Sequence, residues 1–324
     1  MRVLSGIQPS GRLHLGNYFG AMRPQIEMQT EHECFYFIAN YHALTSLTDA
    51  EMVVEYTRQV AMGYLALGLD PAKAVFFRQT DVPEVTELSW ILSCVTPLGL
   101  LQRAHSYKDK VAQGLSPNHG LFAYPVLMAA DILIYKPQLV PVGQDQKQHV
   151  EITQDLQGKF NQTYGEIFVR PEALIRDEVA VVPGIDGRKM SKSYDNAIEL
   201  FAPEKVVRKR IMSIVTDSTP VEEPKDVNNN AMALLRLIAS KEETAEWEER
   251  HRRGGMGYGE VKKRLFELFM EKLGPARKRY QELEAHPEEV ERILAEGGRR
   301  AREVAAQTMR EVRKAVGLVT VRDM

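Results

Sequence analysis

The sequence predicts an α/β domain followed by an all-α domain, and three observations support this fold class. In the first half of the chain, short apolar runs alternate with stretches of helical period, which favours a parallel sheet with right-handed crossovers. The second half repeats apolar residues at three- and four-residue steps and shows no strand pattern. The length of 324 residues suits about two domains.

The elements of the first half follow in order. Three apolar runs, "RVLSGI", "CFYFIAN" and "AVFFRQ", are predicted strands. The predicted helices between them are "LGNYFGAMRPQIEMQ", which contains Pro24, and "DAEMVVEYTRQVAMGYLALGL", which begins at a Thr48/Asp49 cap and ends near Gly68 and Pro71. The region of about 84–160 is more helical, and "LVPVG" inside it is predicted as another buried strand.

From about residue 201 onward the sequence predicts helices only. Segment 261–324 carries 15 Lys/Arg and 11 Asp/Glu, a net charge of +4. A solvated helix surface with alternating charges explains this excess, and so does a face that binds nucleic acid. On charge alone the first interpretation is favoured by roughly two to one.

The composition excludes several classes of protein. The net charge is −2, so any contact with nucleic acid needs a local basic patch. The amino-terminal stretch has no long apolar run, and no stretch approaches about 18 apolar residues, so we expect neither a signal peptide nor a membrane span. Cys34 and Cys94 are the only cysteines. Two thiols cannot form a four-cysteine metal or iron–sulfur site, and we expect reduced thiols in a cytoplasmic protein.

The first candidate site is the loop after the first predicted strand, "QPSGRLHLGNY". A strand, a glycine-containing turn and a helix start are the geometry in which backbone N–H groups bind a phosphate. The spacing is neither the G-x-G-x-x-G of dinucleotide sites nor a Walker A pattern. His14 and Asn17 are three residues apart, so in a helix they share a face and can donate hydrogen bonds to phosphoryl oxygens. A capped turn with polar surface residues explains the stretch about equally well.

The second candidate site is "DGRKMSKSYDN", residues 186–196, which has neither helical nor strand period. It places Arg188, Lys189 and Lys192 on a stretch without a face to bury. A solvated loop is one interpretation. The other is a loop that stays unpacked because it moves during a reaction.

Together the two loops resemble the signatures of class I aminoacyl-tRNA synthetases, in the form found in the tryptophanyl-tRNA synthetase family. "KMSKS" at residues 189–193 matches the KMSKS motif at all five positions. "HLGN" at residues 14–17 is a variant of the HIGH motif, in which Leu15 replaces Ile and Asn17 replaces the last His. The stretches "SGIQPSGRLHLGNY", "YPVLMAADIL", "VPVGQDQKQH" and "VTDS" extend the resemblance, in the same order, over essentially the whole chain.

The resemblance implies a fold, a reaction and partners. It implies a Rossmann-like parallel-sheet catalytic domain at residues 1–200, with a helical insertion at about 100–170 that forms much of a homodimer interface. It also implies a helical domain at residues 201–324 that binds the tRNA anticodon. The implied reaction is ATP-dependent activation of L-tryptophan to tryptophanyl-adenylate and transfer to tRNA(Trp). The implied cofactors are ATP and Mg²⁺, the ion being bound mainly through the ATP phosphates.

The resemblance also assigns residues to the nucleotide. Negative charge builds on the α-phosphate and on the departing pyrophosphate, so donors and cations are needed there. The implied catalytic residues are His14, Asn17, Lys189 and Lys192. The implied ATP-binding residues are Gln8, Ser10, Gly16, Asn17, Lys110, Asp145, Lys189, Met190, Ser191, Lys192 and Ser193. For Lys110 the alternative is an ordinary surface lysine.

A second set of residues concerns the amino acid. Tyr124, Met128 and Asp131 are spaced at i, i+4 and i+7 and share one helix face, on which Tyr135 follows at i+11. Asp131 lies among apolar residues, where a carboxylate needs a donor, and a salt bridge or backbone contact is the ordinary explanation. The resemblance implies instead that Asp131 accepts the indole N–H and that Met128 packs on the ring. The implied tryptophan-binding residues are Leu4, His42, Tyr124, Met128, Asp131 and Gln146, with Gln8 beside Gln146 at the polar end of the substrate.

Three other functions stay open from the sequence. A tyrosyl-tRNA synthetase shares the fold, but its pocket must satisfy a hydroxyl that both donates and accepts, whereas Met128 and Asp131 suit an indole. A catalytically silent RNA-binding paralogue is expected to have lost Lys189 and Lys192. A nucleotidylyltransferase that makes a small metabolite would not need the helical second half.

Overall fold

A five-stranded parallel sheet organises the first half of the chain. The computed structural model describes residues 1–104, 118–175 and 182–319. In this part the strands are β1 Arg2–Ile7, β2 Glu33–Ile38, β3 Ala74–Arg78, β4 Leu139–Pro141 and β5 Glu172–Leu174. All neighbouring strands run parallel, in the order β3-β2-β1-β4-β5. The predicted α/β class with a parallel sheet is confirmed.

The chain builds the sheet outward from β1 in two directions. β2 and β3 follow on one side, and the chain then crosses to β4 and β5 on the other. In such sheets ligands bind outside the carboxyl ends of the strands at the point of reversal, here between β1 and β4. The sequence does not predict β5, because its three residues, "EAL", form no apolar run of strand length.

The helices cover the sheet and form the second half of the chain. Their bounds are α1 Leu15–Asn17, α2 Arg23–Met28, α3 Asn40–Ala43, α4 Ala50–Ala66, α5 Glu84–Ser93, α6 Leu98–Gln102, α7 His119–Leu133, α8 Lys147–Tyr164, α9 Glu204–Met212, α10 Asn230–Ile238, α11 Lys241–Arg253, α12 Tyr258–Ala285 and α13 Pro287–Val316. A π turn at Tyr18–Met22 interrupts the single helix predicted over residues 15–29. Of the two residues in the predicted cap of α4, Asp49 is the N-cap, because its carboxylate accepts from the N–H groups of Glu51 and Met52.

Alternate residues of the strands face opposite sides of the sheet and enter two separate cores. Val3 in β1 and Tyr36 in β2 belong to the core that also holds residues of α4, α9, α10 and α12. Their neighbours Leu4 and Phe35 belong to the core that holds residues of α5, α7 and α8. Because both faces are covered, the strands read as nearly continuous apolar runs.

The last helix, α13, returns from the helical half and covers the edge strand β3. Its first half joins one core through Val290 and Leu294, and its second half joins the other through Ala305 and Met309. Among the described residues, four ion pairs connect it to the sheet domain, namely Arg78–Glu291, Arg302–Glu84, Arg313–Glu87 and Lys136–Glu311. A helix laid across an edge strand blocks pairing with another chain. The domain boundary at residue 201 stays a prediction.

We expect Gly297→Ala to lower the free energy of unfolding by about 3 kcal/mol. Gly297 lies where α13 crosses β3, and a Cβ there would overlap the carbonyl oxygen of Phe76. Urea unfolding followed by circular dichroism measures the change. Gly259→Ala in α12 is the control, since a Cβ there meets no heavy atom within 4 Å. The control should change stability by no more than about 1 kcal/mol, and equal losses in both variants would contradict the close crossing.

The described residues also bear on membranes, metals and cysteines. In this part of the chain no helix combines the length and the apolar character that crossing a membrane requires. Over the same ranges, His, Cys, Asp and Glu side chains form no group of three or more that could hold a metal ion. Cys34 is buried in β2, and Cys94 is exposed directly after α5.

Candidate active site

A cavity of about 220 Å³ opens at the carboxyl ends of β1 and β4. This is the point of reversal in the sheet, where ligands of such folds bind. Its lining includes all six predicted tryptophan-binding residues and one predicted ATP-binding residue, namely Leu4, His42, Tyr124, Met128, Asp131, Gln146 and Gln8. The fold therefore brings together residues from four separate parts of the sequence into one pocket.

Helix α7 presents Tyr124, Met128 and Asp131 to the cavity, as their spacing predicts. The prediction that Tyr135 continues this face is wrong. α7 ends at Leu133, so the chain has left the helix before Tyr135. The buried ring of Tyr135 packs against Phe35 of β2 instead, with the ring centroids 5.2 Å apart.

Asp131 is the buried acceptor of the cavity, with only 1% of its surface exposed. Gln79 Nε2 donates to both carboxylate oxygens at 2.8 Å, and His42 Nε2 donates to Oδ2 at 2.8 Å. Burial raises the pKa of Asp131, and the hydrogen bonds from His42 and Gln79 oppose this rise. These donors supply the partners that a buried carboxylate requires, and they favour its ionised, acceptor-only form.

Two residues of this network, Gln79 and His149, are not predicted from the sequence. Gln79 is buried directly after β3, and its Oε1 accepts from the Tyr41 N–H at 3.0 Å, which turns Nε2 towards Asp131. His149 lines the cavity, and its Nε2 lies 2.8 Å from the Tyr124 hydroxyl oxygen. Gln79 could have been predicted from its position, because it is a polar residue at the carboxyl end of a parallel strand.

The loop after β1 places His14 and Asn17 differently from the prediction. His14 precedes α1 with extended backbone dihedral angles, so the two residues do not share a helix face. Asn17 Oδ1 accepts from the His14 main-chain N–H at 3.1 Å and closes the turn. Burial, with a smaller contribution from the Lys192 charge, lowers the pKa of His14 to about 4. The imidazole is therefore neutral at pH 7 and can donate one N–H.

The loop at residues 189–193 packs on the loop after β1. Met190 is buried, and its Sδ accepts from the Gly16 N–H at 3.3 Å. Lys192 Nζ donates to the Ser10 carbonyl oxygen at 3.0 Å. The prediction that this stretch has nothing to bury is wrong for Met190. These contacts hold the two sequence motifs against each other. Ser10, which Lys192 contacts, follows the cavity residue Gln8 by two positions in the sequence.

Asn196, which no pattern in the sequence marks as functional, organises the loop from its carboxyl side. It is buried, and its Oδ1 accepts from the Ser191 N–H at 2.7 Å. Its Nδ2 donates to Asp186 Oδ1 at 2.8 Å and to the Lys189 carbonyl oxygen at 3.1 Å. One buried amide thus fixes the backbone, while the side chains of Lys189 and Ser193 stay exposed to solvent.

Lys110 and Asp145 are two further predicted ATP-binding residues. Lys110 lies outside the described residues. The backbone of Asp145 lies in a 3₁₀ turn, Gln144–Gln146, directly after β4, and its side chain is outside the description. The turn itself is at the carboxyl end of the sheet, where ligands of such folds bind.

Known proteins resemble this chain over nearly its whole length. A family model described as "tRNA synthetases class I (W and Y)" matches residues 1–274. A tryptophan–tRNA ligase from Fusobacterium nucleatum is 52% identical over 319 residues, which cover 98% of each chain. One from Rhodopirellula baltica is 53% identical, covering 98% of this chain and 100% of its own. The crystal structure of Campylobacter jejuni tryptophanyl-tRNA synthetase complexed with ADP and tryptophan matches with a TM-score of 0.94 at 51% identity, covering 98% of this chain and 100% of that chain.

Proposed function

The chain belongs to the class I tRNA synthetases of the tryptophan and tyrosine group, and from this premise we propose that it is a tryptophan–tRNA ligase. It activates L-tryptophan with ATP and transfers the aminoacyl group to tRNA(Trp). The observation that carries the proposal is the cavity in which all six predicted tryptophan-binding residues meet. The relatives at about half identity are tryptophan–tRNA ligases, which disfavours the tyrosyl and the silent alternatives.

The cavity suits an indole because it combines apolar walls with one buried acceptor. Asp131 accepts the indole N–H, and Met128 packs on the ring plane. The donors that contact Asp131, from Gln79 and His42, are already bound to its carboxylate. A phenol hydroxyl placed there would donate to Asp131 but would need a further donor for its own oxygen. Gln146 and Gln8 bind the ammonium and carboxylate end of the amino acid.

The first step joins the tryptophan carboxylate to the α-phosphorus of ATP and breaks the bond to pyrophosphate. Lys189 and Lys192 stabilise the charge that develops on the departing pyrophosphate. Neutral His14 donates to the α-phosphate, and Asn17 holds the turn beneath it. Ser10, Gly16, Ser191 and Ser193 contribute N–H or hydroxyl donors, and Met190 contributes through its backbone, since its side chain is buried. In the second step a terminal ribose hydroxyl of the tRNA attacks the activated carbonyl, and AMP leaves.

Mg²⁺ bound to the ATP phosphates fits the donors that this chain supplies. The motif loops present lysine amines and amides, which bind phosphate rather than metal. Among the residues described, no group of three acidic, histidine or cysteine side chains offers a metal site of its own. The ion supplies neutralisation of phosphate charge when it is bound.

The proposal also covers the roles of the two domains, the oligomeric state and the cellular location of the protein. Residues 1–200 form the catalytic domain, residues 201–324 bind the anticodon, and the segment at about 100–170 contributes to a homodimer interface in a cytoplasmic enzyme. Trp90 and Leu98 precede this segment with 73% and 68% of their surface exposed. Large exposed apolar side chains of this kind support an interface with a second copy.

The rate should fall at alkaline pH because Lys192 loses its charge. Burial lowers the pKa of Lys192 to about 8, while Glu199 opposes the shift. The protonated form predominates below that pH, so kcat/KM for ATP in ATP–pyrophosphate exchange is expected to fall about tenfold per unit above pH 8. Lys192→Arg should move this descending limb beyond about pH 9, since a guanidinium stays charged there. An unchanged limb in the arginine variant would contradict the assignment.

Charging of tRNA tests the proposed function. Labelled tryptophan should be transferred to tRNA(Trp) only when ATP is present. Transfer of tyrosine to tRNA(Tyr) instead would make the chain a tyrosyl-tRNA synthetase. Binding of tRNA without charging by either amino acid would make it a silent paralogue.

A further inference from the structure

We infer that five cations on α9 and α12 form a binding face for the phosphate backbone of tRNA, an inference that rests on the proposed function. The basic face consists of Lys205, Arg208 and Lys209 on α9 and Lys262 and Lys263 on α12. It overlaps only at its α12 end with segment 261–324, for whose net charge of +4 the sequence favours a solvated helix surface over a face that binds nucleic acid.

Helix α9 gathers its cations on one side. Lys205, Arg208 and Lys209 stand at i, i+3 and i+4, which is one helical face, and all three are exposed. Val207 and Ile211 occupy the opposite face and are buried in the core. The helix is thus oriented by its apolar residues so that its positive residues point to solvent.

Helix α12 extends the basic face sideways. Lys262 Nζ donates to the carbonyl oxygen of Met212 at 3.4 Å, at the end of α9. One turn further along α12, the Phe266 ring lies 5.6 Å from the Arg208 guanidinium carbon. These two contacts bring the cations of both helices onto one continuous surface, and Lys263 is exposed beside them.

The cations of the basic face differ from nearby charged residues in their ion pairs. Across the described ranges, no ion pair joins any of its five members to a carboxylate, whereas neighbouring arginines are paired. These neighbouring pairs are Arg210–Asp195, Arg250–Glu260 and Arg264–Glu243. Helix α13 also follows the alternating pattern, with Arg299 between Glu296 and Glu303. Like charges left together repel one another, and a polyanion removes that repulsion.

The position of the basic face indicates tRNA as the polyanion. The pair Arg210–Asp195 links α9 to the end of the motif loop, so the face lies next to the loop that acts on ATP. Met212 and Val215, with 42% and 58% of their surface exposed, provide apolar surface beside the cations. Apolar surface beside positive charge suits ribose and bases next to their phosphates. Since the whole chain has a net charge of −2, this attraction is local to the face.

The test compares two triple variants that remove the same charge. The basic-face variant is Lys205→Ala/Arg208→Ala/Lys209→Ala, in which alanine preserves helix propensity. The control is Lys241→Ala/Arg292→Ala/Arg310→Ala, which changes three exposed cations on α11 and α13. Both are assayed for tRNA(Trp) binding, for KM of tRNA in charging, and for tRNA-free ATP–pyrophosphate exchange.

We expect the basic-face variant to bind tRNA at least about tenfold more weakly at 0.15 M salt, with unchanged exchange. Its salt dependence, log Kobs against log salt, should lose about 2 to 3 units of slope, because each lost phosphate contact removes about 0.7–0.9. Equal tRNA binding by the two triple variants would overturn the inference. Since binding is measured without catalysis, a wild-type chain that binds tRNA through this face but charges none would refute only the proposed function.

Discussion

Asp131→Ala should lower kcat/KM for tryptophan in ATP–pyrophosphate exchange by about 100-fold, which corresponds to about 2.7 kcal/mol. The substitution removes the buried carboxylate that we propose as the acceptor of the indole N–H, and a hydrogen bond to a charged group contributes about 1.5–3 kcal/mol. It also leaves the donors of Gln79 and His42 without their shared carboxylate. The loss should fall mainly on KM for tryptophan, while KM for ATP changes little, because the ATP-binding loops are separate from this carboxylate.

Two controls separate this effect from damage to the fold. Asp155→Ala removes an exposed carboxylate of α8 and should leave exchange unchanged. Thermal unfolding and far-ultraviolet circular dichroism of Asp131→Ala show whether the variant is folded. A folded Asp131→Ala enzyme with kcat/KM for tryptophan within about threefold of wild type would refute the indole contact.

Lys192→Ala should lower kcat of the exchange reaction by about 100- to 1,000-fold, the usual effect of removing one group that stabilises developing charge. Lys192 lies where the two motif loops meet, and its amine contacts the Ser10 carbonyl oxygen. In the proposed mechanism the amine contacts the pyrophosphate in the transition state, as negative charge develops on this leaving group. Binding of tryptophan alone should be unaffected, since Lys192 does not line the cavity.

The arginine variant and a remote lysine provide the comparison for Lys192. Lys192→Arg keeps the positive charge and should recover at least about tenfold of the activity that alanine loses. Lys241→Ala, an exposed cation at the start of α11, should have wild-type exchange. If Lys192→Ala and Lys241→Ala have the same kcat, Lys192 does not stabilise the leaving pyrophosphate.

β1, β2 and β3 could be predicted because most of their residues are apolar on both faces. β2 and β3 each contain an uninterrupted apolar run, whereas in β1 the apolar residues are interrupted by Ser5 and Gly6. β5 could not, since three residues at the edge of the sheet carry too little pattern. The position of α13 across β3 could not be predicted either, because the amphipathic period of a helix does not indicate which element the helix packs against. Gly297 and Gly298, which are otherwise unfavourable residues inside a helix, mark the crossing.

The residues of the candidate site also divide into those that the sequence predicts and those that it does not. Asp131 and Met128 could be predicted from one helix spacing and from motifs along the chain. Gln79 and Asn196 could not, since each acts through contacts between distant segments, 52 residues apart for Gln79 and Asp131. The burial of Met190 was missed because a single apolar residue in a polar stretch has no period. Such residues position the chemistry and become visible only in three dimensions.

The most direct test of the central claim is amino-acid-dependent exchange of labelled pyrophosphate into ATP, with tryptophan and tyrosine in parallel and without tRNA. An enzyme whose cavity holds an indole against Asp131 is expected to exchange with tryptophan and to give no more than background with tyrosine. Exchange driven by tyrosine would contradict the indole assignment while leaving the fold and the adenylation chemistry in place. Absence of exchange with both amino acids, on folded protein with Mg²⁺, would contradict the catalytic function itself.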